Sequence, residues 1–258
     1  MGSVFRKELF GMMENRGSEN KEYRILGEEE YRELEERILF EDNHLLIVDK
    51  KPGDLVQGDK TGDETLCDRY KAFIAQRNSK PGKVFLGIPH RLDRPVSGIT
   101  VFTKTSKALE RVSAAFREGK VHKTYYALSY ARPPKDEELL ENWLLRREAM
   151  NKSFVVPEGK YKEAKLAKLI YKYLGATDRY HLIEVQLLTG RHHQIRCQLS
   201  NMGCIIKGDL KYGAPRSNPD GGICLHEGRI TLPHPVSKED ITVESPLPES
   251  WKGVHSLR

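Results

Sequence analysis

The sequence predicts an α+β fold, a mainly antiparallel mixed β-sheet flanked by a few helices. Three observations predict it. Strand-like apolar runs outnumber helical ones, several of them adjoin through short turns, and strands and helices do not alternate regularly as a parallel sheet requires. A chain of 258 residues suffices for one large domain or two small ones. No internal repeat divides it.

Residues 1–37 read as an acidic N-terminal extension, partly helical or mobile, ahead of a body spanning 38–258. ENRGSENKEYR is polar, and GEEEYRELEERIL places Tyr31, Leu34 and Ile38 at helical spacing. ILFEDNHLLIVDKKPG then reads as a strand, a turn at Asp42-Asn43, a second strand and a Pro-Gly stop. TLCDRYKAFIAQR is a helix with Leu66, Tyr70, Phe73 and Ile74 on one stripe. VFLGIP is a short strand entering HRLDRPVSG, and GITVFTKT is the strand leaving it. In SKALERVSAAFREGK, Ser106 is the expected N-cap, Leu109, Val112 and Phe116 form the buried stripe, and Gly119 closes the helix. KTYYALSYA is a strand. Residues 133–163 read as an excursion from the sheet, 165–173 and 180–188 as a hairpin around LGATDR. HHQIRCQLSNMG is a short helix ending at Gly203, and GGICLHEGRITLPHP supplies a final pair of strands.

Composition narrows the class. Charged residues make up 31% and hydrophobic ones 38%, as in ordinary globular proteins. No apolar run approaches the roughly 20 residues of a membrane span. Charges interrupt the start before a signal-peptide core can form, and Arg6 breaks the myristoylation pattern, so cytoplasmic residence is expected. Cys67, Cys197, Cys204 and Cys224 form no CxxC pair, which suits a reducing compartment and argues against a disulfide framework or a structural metal. The net charge is +6; residues 1–37 carry −3 and the remainder +9. A basic body suits a polyanionic partner, nucleic acid above all, though a plain basic surface would look the same.

Three stretches carry candidate chemistry. In HRLDRPVSG, Asp93 stands among His90, Arg91 and Arg94. Neighbouring cations favour its ionised form, which suits a nucleophile or base and not an acid. Pro95 and Gly98 constrain the backbone around it; a salt-bridged surface turn is the alternative. In TGRHHQIRCQLSNMG, Ile195, Leu199 and Met202 form an inward stripe, and Arg191, four residues before Ile195, is placed on or near it. An Arg at a core edge needs an anion, and Asp93 is the candidate, though a purely structural ion pair fits equally. His192 and His193 point in different directions and lack a third ligand, so packing or phosphate contact is expected over metal binding. In VHKTYYALSY, Lys123 and Tyr125 share one strand face, and Tyr126 takes the other. Tyr125 could stack on a flipped base or simply pack in the sheet.

HRLDRPVSG, KTYYA, GRHHQIRCQLSNMGCIIKGDLKYG and GGICLHEGRITLPHP occur in this order and resemble the RluA-type pseudouridine synthases, from about Ile38 to Trp251. The resemblance implies isomerisation of uridine to pseudouridine in structured RNA, ribosomal or transfer, within a central RNA-binding cleft. It implies Asp93 as nucleophile, Tyr125 against the target base and Arg191 paired with Asp93. His90, Arg91, Leu92, Arg94, Lys123, His192, Ile195 and Leu199 become the substrate-binding candidates, with Ile195 and Leu199 as a dry wall and basic groups from Lys83 to Arg132 and Arg146 to Lys172 as the phosphate track. Val96 stands where many members have Thr, and His226-Glu227 where many have His-Ala; both departures bear on substrate fit. Residues 1–37 are too short and acidic for the S4 RNA-binding domain of some relatives. The reaction is redox-neutral and consumes no phosphate, so no cofactor and no metal are expected, and a monomer is the plain expectation. A non-catalytic RNA binder on the same fold is the first rival, and a hydrolase using Asp93 with His90 or His192 is the second.

Overall fold

The computed structural model describes residues 23–58, 62–79 and 82–254. Most of the expected polar N-terminal stretch, residues 14–22, lies outside them. Among the described residues the chain forms four α-helices and a ten-stranded sheet, in the order β1 (Ile38–Glu41), β2 (Leu45–Lys50), β3 (Ser97–Thr103), β9 (Leu225–Pro233), β4 (His122–Ser129), β8 (His181–Leu187), β7 (Lys165–Ala176), β5 (Glu137–Arg147) and β6 (Lys152–Val156). Strand β10 (Asp240–Glu244) pairs with the far half of β9. Every ladder is antiparallel except β3–β9, where Ser97 faces His226 and Gly98 faces Glu227. The expected α+β architecture is therefore present.

Alternation decides which faces are covered. On β2, Leu45 and Ile47 enter one apolar cluster with Ile99, Val101 and Val112, while Leu46 and Val48 enter another with Tyr70, Phe73 and Phe102. Helix α3 (Ser106–Arg117) covers the first face and α2 (Leu66–Arg77) the second, so β2 and β3 are buried on both sides. Helix α1 (Glu28–Glu36) joins the second cluster through Leu34, whose carbonyl accepts from Tyr70 Oη at 3.0 Å. Leu26 joins it too, and its backbone exchanges two hydrogen bonds with the Gln76 side chain, 2.9 and 3.2 Å.

Several local readings shift. Thr105, not Ser106, caps α3, its hydroxyl accepting from Ala108 N at 3.1 Å. VFLGIP contributes only an isolated bridge, Gly87 to Thr103, where a Cβ at Gly87 would sit 2.6 Å from the Thr103 hydroxyl. The 133–163 excursion belongs to the sheet: β5 pairs with β7 from Glu137–Lys172 to Leu144–Lys165, then turns into β6. GGICLHEGRITLPHP forms one strand of the closing pair, and its partner β10 lies beyond it.

Gly98 makes the parallel contact possible. It has φ +111°, and a Cβ there would lie 2.4 Å from the Glu227 carbonyl oxygen and 2.5 Å from its nitrogen, both backbone atoms that cannot swing away. Gly98→Ala is expected to lower unfolding free energy by about 2 kcal/mol or more. Urea denaturation reads this directly, and a wild-type midpoint would contradict the close approach.

Candidate active site

Asp93 sits on a short turn whose Val96 N–H donates to the Asp93 carbonyl at 3.0 Å. The turn is tied down from three directions. Gly53 N donates to Arg94 O at 2.9 Å and Ile223 N to Pro95 O at 2.9 Å. The buried Lys50 ammonium donates to Lys51 O, Arg94 O and Val96 O at 3.1, 3.0 and 2.6 Å. Burial, opposed chiefly by Asp54 and also by Asp93, brings the Lys50 pKa down to about 8. Lys50 was not singled out from the sequence. Its signal is a lysine closing the strand LLIVDK just after four buried apolar residues, where a buried ammonium must find acceptors.

The Asp93 side chain is 32% exposed and meets a guanidinium, but that of Arg196 and not Arg191. Arg196 Nη1 donates to Asp93 Oδ2 at 3.0 Å. Its Nε and Nη2 grip both oxygens of Asp209 at 2.7 and 2.8 Å. Arg196 is 5% exposed and Asp209 1%. The fork locks the guanidinium plane on a buried carboxylate and leaves one N–H edge for Asp93. Burial opposes the charge on Arg196, yet the two carboxylates outweigh it and its pKa moves up. The Tyr212 ring lies against the same guanidinium, 5.2 Å from centroid to Cζ.

Arg191 is exposed and makes other bonds: its Nε donates to Leu166 O at 3.0 Å and its N–H to Gln194 Oε1 at 3.0 Å. The expected Arg191–Asp93 pair is therefore absent, for a definable reason. Helix α4 (Gln194–Asn201) begins only at Gln194, because His193 has φ +51°, so helical phase cannot be carried back to Arg191. The signal for Arg196 lay three residues before Leu199, on the same helix face, in a helix buried from Gln194 to Leu199 with no acid of its own.

His193 lies beside the pair, its Nε2 3.5 Å from Asp93 Oδ2 and its Nδ1 3.1 Å from Tyr212 Oη. Burial and then Arg196 push its pKa down to about 2, so the ring is neutral. The Tyr212 hydroxyl has two acceptors within reach, His193 Nδ1 at 3.1 Å and Ser153 O at 3.2 Å, and its one hydrogen serves one of them. The Arg196 and His193 contacts both fall on Asp93 Oδ2; among the described residues none falls on Oδ1. A carboxylate with one oxygen held and the other open is arranged for attack or proton abstraction.

Leu92, Tyr125, Ile195 and Leu199 are buried together in one apolar cluster. Tyr125 donates its hydroxyl to Glu227 Oε2. The remaining candidates are dispersed. His90 stacks on Phe116, with centroids 4.8 Å apart, and accepts from Val101 N at 2.9 Å. Burial and then Lys123 bring its pKa down to about 3, so it is a neutral packing ring. Arg94 turns from Asp93 to Gly53 O and Asp63, 3.1 and 2.9 Å away. Arg91 is exposed, and Lys123 lies over the Phe116 ring at 5.7 Å. His192 and His193, expected to point in different directions along a helix, precede it and stack with ring centroids 3.8 Å apart; His192 contacts Ser153 Oγ and Asn151 Oδ1 at 2.9 and 3.1 Å. Arg146 and Lys211 both act on the two histidines, so the rim beside Asp93 is electropositive. Among the described residues no group of three His, Cys, Asp or Glu could hold a metal ion, and no helix is long and apolar enough to cross a membrane.

Comparison with known proteins places the chain in a family. Residues 44–201 match the family model described as RNA pseudouridylate synthase. The chain is 34% identical over 221 residues to the ribosomal large subunit pseudouridine synthase C of Vibrio cholerae, covering 83% of this chain and 67% of the relative. It is 29% identical to the mitochondrial pseudouridylate synthase RPUSD4 of Xenopus tropicalis, over 86% of this chain and 80% of the relative. The solved human RNA pseudouridylate synthase domain containing 4 has the same fold, with a TM-score of 0.73 at 24% identity, covering 88% of this chain and 94% of that one.

Proposed function

The chain belongs to the RNA pseudouridylate synthase family, and from that premise we propose that it converts a uridine of structured ribosomal RNA to pseudouridine with Asp93 as nucleophile. The observation that carries the role of Asp93 is the buried Asp209–Arg196 fork holding one oxygen of a part-exposed carboxylate at 3.0 Å. The choice of ribosomal RNA over tRNA rests on relatives such as that of Vibrio cholerae, named for the large ribosomal subunit.

The reaction breaks N1–C1′, turns the uracil and joins C5 to C1′. N1 gains a proton and C5 loses one, so the balance calls for no cofactor. Attack of Asp93 at C1′, attack at C6 and removal of the C2′ proton all start from the carboxylate that Arg196 holds in place. The target base must leave its stack, at a cost of a few kcal/mol. Stacking on Tyr125 against the wall of Leu92, Ile195 and Leu199 offsets part of it and keeps water from the site. Arg91, Arg146, Arg191 and Lys211 are exposed and suited to phosphates. Residues 38–258 act as the catalytic domain, residing in the cytoplasm.

Tritium release from 5-tritiated transcripts of large-subunit rRNA and of tRNA tests the reaction and the choice of RNA. Release from the rRNA is expected; release from tRNA alone would overturn the substrate, and release from neither would overturn the activity. RNA binding should be steeply salt-dependent. With about four phosphates neutralised, affinity falls roughly 100-fold between ~50 and ~200 mM salt. Filter binding measures the slope, and a flat one would remove the basic rim from recognition.

A further inference from the structure

Among the described residues two carboxylates are buried, Asp209 and Glu227. Asp209 has a guanidinium on both oxygens. Glu227, 0% exposed, has none: its Oε2 accepts from Tyr125 Oη, its Oε1 has no partner, and no cation lies within ion-pair distance. A buried carboxyl with one phenol for company is costly, and nothing in the packing asks for it.

The backbone places it deliberately. The β4–β9 ladder pairs Thr124 with Arg229 and then Tyr125 with Glu227, so Gly228 is an extra residue. This bulge shifts the register by one and sets Glu227 directly opposite Tyr125. On the other side of β9, Glu227 pairs in parallel with Gly98, the end of the segment that carries Asp93. Glu227 thus stands between the two segments that supply the nucleophile and the stacking ring.

We propose that Glu227 is a positioning residue that acts through the Tyr125 hydroxyl, and that its ionised form fixes the ring for the reaction. The inference rests on the reading that Tyr125 faces the flipped uracil. A carboxylate can only accept, so it holds the phenol in one orientation; a neutral carboxyl can donate or accept, and the ring is held less firmly. Burial, opposed by Lys123 and the Tyr125 hydrogen bond, brings the Glu227 pKa up to about 7. Burial and then Glu227 push the Tyr125 pKa well up, so it remains the donor. The charged and titratable groups around the pair are Lys123 and Tyr125 from β4, Asp93 from the turn before β3 and, next to Glu227 on β9, His226, whose Nδ1 lies 2.9 Å from Ser97 Oγ.

Single-turnover pseudouridine formation is measured from pH 5.5 to 8.5 on the rRNA transcript. The wild-type rate is expected to rise through an inflection near pH 7. Glu227→Gln keeps an acceptor but cannot ionise, so the inflection vanishes while the plateau falls only about threefold. Glu227→Ala and Tyr125→Phe each slow the step roughly tenfold with KM little changed, and the double variant is no slower than either alone. An inflection retained in Glu227→Gln, or losses that multiply in the double variant, overturns the proposal. Should the alanine variant fail to fold, the isosteric glutamine variant still decides. A wild type that makes no pseudouridine overturns the activity itself, and this inference with it.

Discussion

Asp93→Asn is expected to lower pseudouridine formation by roughly 10⁴-fold or more, as removal of a nucleophile does. The amide is isosteric but cannot attack carbon or take a proton. The rest of the site stays in place, because Arg196 keeps its two bonds to Asp209. Stability should therefore change by no more than about 1 kcal/mol, since Asp93 is part-exposed and contributes one of three carboxylate contacts on the guanidinium. RNA affinity should hold or rise, because a negative charge near the phosphates is removed. Tritium release, thermal melting and filter binding read the three quantities separately. Equal modification by wild type and Asp93→Asn would remove Asp93 from the chemistry; loss of activity together with folding would make its role structural.

Arg196→Met is expected to cost about 3–5 kcal/mol of stability and nearly all activity. Most of the stability loss comes from the partner left behind: Asp209 is 1% exposed and would lose both guanidinium bonds. Arg196→Lys should not rescue it, because an ammonium cannot hold two oxygens of Asp209 and still present an N–H edge to Asp93. The double variant Arg196→Met, Asp209→Leu separates the roles. Replacing a whole buried pair by apolar side chains is often neutral, so stability should return while activity stays lost. Recovery of both would mean that Arg196 serves only the fold. Arg191→Ala, on an exposed side chain, should change stability by about 0.5 kcal/mol or less.

That contrast shows where sequence reading ends. Asp93 was legible as a candidate because its whole setting, HRLDRPVSG, is contiguous and carries the family resemblance. The inward face of Ile195 and Leu199 was legible because helix periodicity is local. Arg196 was not, because choosing between two arginines five residues apart needs the first residue of the helix, and that depends on the left-handed backbone of His193. Asp209 and Lys50 were missed because their partners are carbonyls or side chains brought close by packing, with no spacing to betray them.

The sequence by itself determined the α+β sheet, the family and the candidate carboxylate Asp93, since hydrophobic period and a contiguous motif are properties of neighbours along the chain. Only the tertiary structure decided which guanidinium holds Asp93, what anchors that guanidinium, and which carboxyl faces Tyr125. Those choices turn on a helix start, on a one-residue bulge and on a close approach of two backbones. Each is a distance between residues far apart in the chain, and burial, by making an unpaired charge expensive, selects among the partners that folding brings within reach.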